Sequence, residues 1–309
     1  MQINMDTLKQ AKAIYLAKPE YHKELATELG QDIVSIENLF FSPHPLDVCF
    51  AKDRWLNPQF IEFQSISEAA AVLKNAGKWW YFYPLTHVRR GRLIEEKLRK
   101  TPSLLRHFPL TDNIPPVNVF FLLDKNTLVF STERLNPWPD GQCLFIEDKV
   151  NPPNRAYLKL WEALTLLKQY PKAGDKALDL GASPGGWTFV MQSLGATVTA
   201  VDKAPLAEKI ACLPGVHFLK QSAFALHPDK LTESYDWVLS DVACYPERAY
   251  RLIKQWLASG KARQLIFTIK LQGETDLHIL RELQNLPNSR VLNLFYNKHE
   301  ATFFHPFPG

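Results

Sequence analysis

Cysteine is scarce in this 309-residue chain: the four that occur, Cys49, Cys143, Cys212 and Cys244, stand far apart and form no C-x-x-C pair or Cys/His cluster. That spacing argues against a disulfide framework and a zinc site, and for reduced thiols in the cytoplasm. Long apolar runs are missing too. The longest uncharged stretch, Leu180 to Val201, spans 22 residues but holds four glycines and a proline, so it reads as loop and short elements rather than a membrane span. The first fifteen residues carry charges and no apolar segment, so no secretory signal is expected in them. Charge of one sign is not in great excess, because 36 basic and 32 acidic residues leave a net +4. Such a balance permits a polyanionic partner without demanding one. Repeats and low-complexity segments are absent, as are the G-x-G-x-x-G dinucleotide fingerprint and a G-K-[ST] phosphate loop.

What is present is the composition of a folded globular protein, 46% hydrophobic and 22% charged. The length implies two domains, 1–150 and 151–309, with a polar, proline-bearing passage from Phe130 to Pro153 leading to the boundary. In the second, short apolar runs recur at Lys176–Leu180, Thr197–Val201, Val216–Leu219, Trp237–Ser240 and Gln264–Ile269, separated by segments of helical composition. Strand alternating with helix implies an α/β, doubly wound parallel sheet. Two further strand-like runs, Arg290–Tyr296 and Ala301–Phe304, are joined only by Asn297 to Glu300, a connection that can only reverse the chain. The last strand is therefore expected to be antiparallel. The first half reads as α+β, with strands at Ala13–Leu16 and Val117–Leu123 and helices at Tyr21–Leu29 and Ile66–Ala76.

The strongest local signal is the run Ala177 to Trp187, ALDLGASPGGW. A strand ends at Leu180; Gly181, Gly185 and Gly186 then open the backbone to a ligand before the next helix. Asp202 ends the following strand 21 residues after Gly181, where a carboxylate can accept from both hydroxyls of a ribose. The competing reading is a turn made tight only for packing.

Residues 179 to 187 match D-L-G-x-x-P-G-G-[WF], and the chain is thereby similar to the S-adenosylmethionine-dependent ribose 2′-O-methyltransferases of the FtsJ type. The resemblance implies a Rossmann-like class I methyltransferase sheet, S-adenosylmethionine as cofactor, and a catalytic Lys-Asp-Lys-Glu set falling on Lys159, Asp241, Lys270 and Glu300. It also implies cofactor contacts at Asp179, Gly181, Ser183, Pro184, Gly185, Gly186, Trp187, Asp202, Ser222 and Asp241. The segments Pro116–Leu122 (PVNVFFL), Arg155–Ala163 (RAYLKLWEA) and Asn297–Thr302 (NKHEAT) resemble the RlmM branch, which methylates a cytidine ribose of large-subunit ribosomal RNA. That branch carries a THUMP RNA-binding module where this chain has a shorter N-terminal half. Where an acidic residue commonly faces the adenine, this chain has Gln221-Ser222-Ala223-Phe224, which leaves that contact to Ser222, backbone and Phe224.

The chemistry of the four charged residues agrees with this independently. A ribose 2′-hydroxyl is a poor nucleophile, so a catalyst must align oxygen, carbon and sulfur and give the proton a path. Lys270 is the candidate base, its neutral amine favoured by a neighbouring cation, Lys159, and by desolvation. Asp241 and Glu300 hold the lysines in place. Taken singly, each is read equally well as a solvated surface charge.

Lys78–Tyr83 (KWWYFY) precedes a basic stretch to Arg106, and Trp79, Trp80, Arg89, Arg90, Arg92, Arg99 and Lys100 form the candidate RNA surface. The bland alternative is core aromatics beside a solvated helix. The expected partner is RNA, 23S ribosomal RNA or a precursor particle, bound by a cytoplasmic monomer without a membrane. The rival readings are a small-molecule methyltransferase, a 2′-O-methyltransferase of another RNA, and an RNA-binding assembly factor with a vestigial cofactor site.

Overall fold

Ala177–Leu180 and Leu265–Ile269 are apolar except at Asp179 and Thr268 and are buried at every position, as strands covered on both faces are. A computed structural model describes residues 5–31, 33–110, 117–136, 138–271 and 277–308. Pro116 of the PVNVFFL segment and Pro137 of the boundary passage lie outside the described residues. The chain divides between Leu144 and Phe145 into two compact units.

The first unit runs through α1 (Met5–Lys9), β1 (Ala13–Ala17), α2 (His22–Leu29), β2 (Val34–Ile36), β3 (Leu39–Ser42), β4 (Ala51–Leu56) and β5 (Gln59–Glu62). It continues with α3 (Ile66–Ala76), β6 (Trp79–Phe82), α4 (Val88–Glu95), β7 (Val117–Leu122), β8 (Thr127–Ser131) and β9 (Glu133–Arg134). Two sheets result, β2-β3-β1-β4-β9 and β5-β8-β7-β6. Strand β7 is buried at every position because its side chains alternate between two cores. Val119 and Phe121 join Trp55 and Ile14 in one core; Phe120 and Leu122 join Trp80 and Phe82 in the other.

The second unit begins with α5 (Tyr157–Leu167), β10 (Lys176–Leu180), α6 (Gly186–Ser193), β11 (Thr197–Asp202), α7 (Glu208–Ala211) and β12 (Val216–Lys220). It ends with β13 (Tyr235–Ser240), α8 (Pro246–Ser259), β14 (Ala262–Lys270), α9 (Leu277–Gln284), β15 (Arg290–Leu292) and β16 (Glu300–His305). They make one seven-stranded sheet, β12-β11-β10-β13-β14-β16-β15. Strands β10 to β14 are parallel, and β16 runs antiparallel between β14 and β15. This is the Rossmann-like methyltransferase sheet with its reversed last strand. Residues 145–150, assigned by sequence to the N-terminal part, belong to this second unit, where the Phe145 ring packs edge-on to Trp161 and stacks on Tyr296.

One expected strand is much shorter than its apolar sequence suggests. Arg290–Tyr296 reads as one strand, yet β15 stops at Leu292. The four residues that follow are captured by other partners. Asn293 donates to the Glu300 carbonyl (2.7 Å), the Leu294 amide to Asn297 Oδ1 (2.7 Å), and the Phe295 and Tyr296 amides to Glu162 (2.8 and 3.0 Å). Among the described residues no helix is long and apolar enough to cross a membrane.

Candidate active site

Strand order turns outward in both directions from β10 and β13, and ligands in such sheets bind beyond the carboxyl ends at that point. Asp241 directly follows β13, and Lys270 is the last residue of β14. Glu300 opens β16 as the cross-strand partner of Lys270. Lys159 stands in the first turn of α5. Its ammonium reaches Asp241 Oδ2 at 2.6 Å and Glu300 Oε1 at 2.9 Å, while Lys270 reaches Asp241 Oδ1 at 2.6 Å and also contacts Glu300 Oε2. Two cations and two anions thus alternate around a ring, their side chains only 8 to 22% exposed. Thr268 donates to Asp241 Oδ1 (2.7 Å) and Asn297 to Glu300 Oε1 (3.2 Å), so both carboxylates have neutral donors as well.

Electrostatics in the ring oppose one part of the expectation. Burial pushes the Asp241 carboxyl up, but Lys159 and Lys270 outweigh it and hold the group below its ordinary value. Burial likewise pushes the Lys270 amine down, and Asp241 with Glu300 outweighs that, so the amine sits above its ordinary value. The expected neutral Lys270 is therefore not the resting state: the carboxylates beside it stabilise the ammonium more than desolvation opposes it.

The turn after β10 splits into two faces. Gly181, Ser183 and Pro184 are half-buried, whereas Gly185, Gly186 and Trp187 are buried. Gly181 has φ +81°, and a Cβ there would lie 2.8 Å from Val242, so the missing side chain lets the loop after β13, which carries Asp241, approach the turn. A Cβ at Gly185 would meet Ile210 at 2.7 Å, and one at Gly186 would meet Asn154 Oδ1 at 2.4 Å. At both positions the space a side chain would need is already filled by the fold, which is one reason for glycine there. Trp187 donates its indole N–H to the Ala156 carbonyl (3.0 Å), tying the start of α5 to α6. Asp179 is only 1% exposed and accepts from Thr188 at 2.7 Å. Burial pushes its carboxyl up to about 7, which marks an interior brace.

Asp202 is better placed for a ligand. It is half-buried at the end of β11, and each carboxylate oxygen accepts one backbone amide, from Ser183 (3.0 Å) and Ala204 (2.9 Å). A second lone pair on each oxygen is left by this geometry, as a ribose diol requires. Ser222 and Phe224 are half-buried beyond β12, and the Arg248 guanidinium lies 3.6 Å from the Phe224 ring centroid. The acceptor capacity left on Asp202 therefore fits the ribose diol of an adenosyl cofactor.

Sequence reasoning missed Glu162. It is 1% exposed, one helical turn beyond Lys159, and its two oxygens accept the Phe295 and Tyr296 amides. This fixes the segment that delivers Glu300 against the helix that delivers Lys159. A lone charge within the otherwise uncharged, largely apolar run Leu160–Leu167 is the signal that would have found it.

In the first unit the candidate RNA surface divides. Trp80 is 2% exposed, packs edge-on to Phe120 and Phe130, and donates its indole N–H to the Gly77 carbonyl (3.1 Å), so it is core and not a stacking platform. Arg90 is half-buried over the Phe63 ring, and Arg92 pairs with Glu95 at 2.5 Å. Arg89, Arg99 and Lys100 are exposed. Trp79 is half-buried, with Lys78 Nζ 4.4 Å and Arg99 Cζ 5.8 Å from its ring centroid. The surface that survives is Trp79 with these exposed cations.

Residues 152–299 match the family described as FtsJ-like methyltransferase. Three curated relatives bear the name ribosomal RNA large subunit methyltransferase M. The chain is 36% identical to that of Halorhodospira halophila over 175 residues, 54% of this chain and 50% of the relative. It is 37% identical to that of Alkalilimnicola ehrlichii over 179 residues, 54% of this chain and 49% of the relative. With that of Xanthomonas campestris pv. campestris the identity is 34% over 239 residues, 71% of this chain and 67% of the relative. The matches thus span about half the length of the first two relatives and two thirds of the third.

Proposed function

The chain belongs to the FtsJ-like methyltransferases, the family of the ribosomal RNA large subunit methyltransferase M proteins, and from that premise we propose that it methylates a ribose 2′-hydroxyl of RNA. The observation that carries this reading is the ring of Lys159, Asp241, Lys270 and Glu300 beside the turn held by Asp202. The substrate is a cytidine of large-subunit, 23S ribosomal RNA, and the setting is the cytoplasm, with the protein acting as a monomer. S-adenosylmethionine, when bound, supplies a methyl group already activated on a sulfonium. Its transfer would form a carbon–oxygen bond and break the carbon–sulfur bond, so the 2′-hydroxyl proton must leave. Lys270 takes that proton after first releasing one of its own to solvent. A positive charge placed beside the ring and the exclusion of water both favour that release. Lys159 stays paired with both Asp241 and Glu300 while Lys270 changes charge. Mapping ribose methylation in ribosomal RNA from cells with and without the gene tests the reading: one 2′-O-methyl group disappears with the gene, and an unchanged map contradicts it.

Two variants test its parts separately. Asp202→Asn keeps one acceptor oxygen and loses the charge, so S-adenosylmethionine affinity is expected to fall by about 1.5 to 3 kcal/mol in calorimetry. Unchanged affinity would remove Asp202 from the cofactor site. Replacing Arg89, Arg99 and Lys100 together by glutamine is expected to weaken RNA binding and flatten its dependence on salt by roughly one to three phosphate contacts. Cofactor affinity stays the same, and an unaltered salt slope would return these residues to ordinary surface.

A further inference from the structure

Three of the four residues of the charged ring also line a cavity. This cavity of about 590 Å³ reaches Lys159, Lys270 and Glu300, and its walls come from the start of α5 and from the turn between β15 and β16. Neither Asp202 nor any residue of the turn from Gly181 to Gly186 lines it. Its size lies within the range of about 300 to 1,000 Å³ common for ligand sites. One wall is aromatic, Phe295 and Tyr296, and the rim carries the exposed cations Arg155 and Lys298. Arg155 makes a surface pair with Glu147 at 2.7 Å, of a kind worth little in water.

Depth decides what can enter. Lys270, whose amine must meet the 2′-hydroxyl, is 22% exposed, and Glu300 beneath it 8%. An A-form duplex displays its 2′-hydroxyls along a wide, shallow groove with both neighbours stacked, so a paired ribose cannot descend to a recessed ring. A nucleotide swung out of the stack can, at the cost of unpairing, which is least where the base is already unpaired. A base removed from its stack needs a new apolar face, and the aromatic wall offers one.

We propose that this cavity takes a single unpaired ribonucleotide, its base against Tyr296 and Phe295 and its flanking phosphates towards Arg155 and Lys298. The proposal rests on the methyltransferase reading above and adds the substrate class, extruded rather than helical RNA. The turn is suited to the task because Glu162 pins the amides of the same two aromatic residues, so the wall and Glu300 keep a fixed relation.

The test uses the full chain and two RNAs that share the nucleotide methylated in large-subunit ribosomal RNA. In one it lies in a hairpin loop; in the other the same strand is annealed to its complement. Single-turnover methylation of the duplex is expected to be roughly 10²-fold slower than that of the hairpin. A fluorescent analogue of the target base, placed in the hairpin, reads the unstacked base directly with cofactor-free protein. In that assay Tyr296→Leu weakens binding roughly tenfold to a hundredfold, Tyr296→Phe retains it, and the exposed variant Lys298→Ala lowers the salt dependence. Equal rates on hairpin and duplex would overturn the proposal, as would a Tyr296→Leu protein with wild-type circular dichroism and unchanged binding. If wild type binds S-adenosylmethionine but methylates neither these RNAs nor ribosomal RNA, the methyltransferase reading itself fails.

Discussion

Replacing Lys270 by methionine is expected to lower the single-turnover rate of methyl transfer by about 10²- to 10⁴-fold, the usual contribution of a positioned acid or base. S-adenosylmethionine affinity is expected to change by less than about threefold, because the proton in question leaves only in the transition state. The amine lies above its ordinary value in the cofactor-free protein, so a mechanism that needs it neutral makes the wild-type rate rise with pH through the neutral range. The residual rate of the variant should lose that rise. Single-turnover kinetics separate chemistry from binding and release. A Lys270→Met protein that kept a third or more of the wild-type rate would show that the proton takes another route, whatever the protein methylates.

Asp241→Asn is expected to cost both activity and stability. The carboxylate holds Lys159 and Lys270 at 2.6 Å each, and removing one partner from a largely buried ion cluster typically costs about 3 kcal/mol or more. For a unit of this size that corresponds to a Tm about 6 to 12 °C lower at pH 7. The pH dependence has a definite sign. A carboxyl depressed in the folded state contributes stability above its unfolded value, and the contribution is lost as pH falls through the folded value. Lys270 behaves oppositely: its raised value contributes stability that is complete below 10.5 and lost as pH rises through the folded value. The variant should therefore lose less Tm between pH 6 and pH 3 than wild type does, and calorimetric scans at the two pH values check it. An identical acid-side loss would mean that Asp241 is not held as an anion by the two lysines.

What could be read from sequence depended on how far apart the deciding partners lie. Strand β10 was legible as Lys176–Leu180 because its apolar run and the glycine after it are local signals. The reversed β16 was legible because Asn297 to Glu300 is too short for a crossover. The four charged residues stood out only through the motifs around them, and the sheet then delivers Asp241, Lys270 and Glu300 to one edge. By contrast, Arg290–Tyr296 has a strand's composition, and Leu294, Phe295 and Tyr296 give their amides to Asn297 and Glu162 instead, the latter 133 positions from Phe295 in sequence. Trp80 and Trp79 are neighbours in an aromatic run, yet the period of two along β6 sends Trp80 into the core and leaves Trp79 at the surface. The packing reason for glycine at 185 and 186 was not legible, because Ile210 and Asn154, which occupy the space a side chain would need, come from other segments of the chain. The charge state of Lys270 was out of reach for the same reason, since it is a balance between desolvation and two carboxylates that only the fold brings together.

The most direct test of the central claim is the chemical position of the transferred methyl group. Purified protein, S-adenosylmethionine labelled in the methyl group, and unmodified large-subunit ribosomal RNA transcript are combined, and the RNA is digested to nucleosides for mass spectrometry. The predicted result is label in 2′-O-methylcytidine from a single position, lost in the Lys270→Met protein. Label on a base carbon or nitrogen, or none at all despite tight cofactor binding, would contradict it.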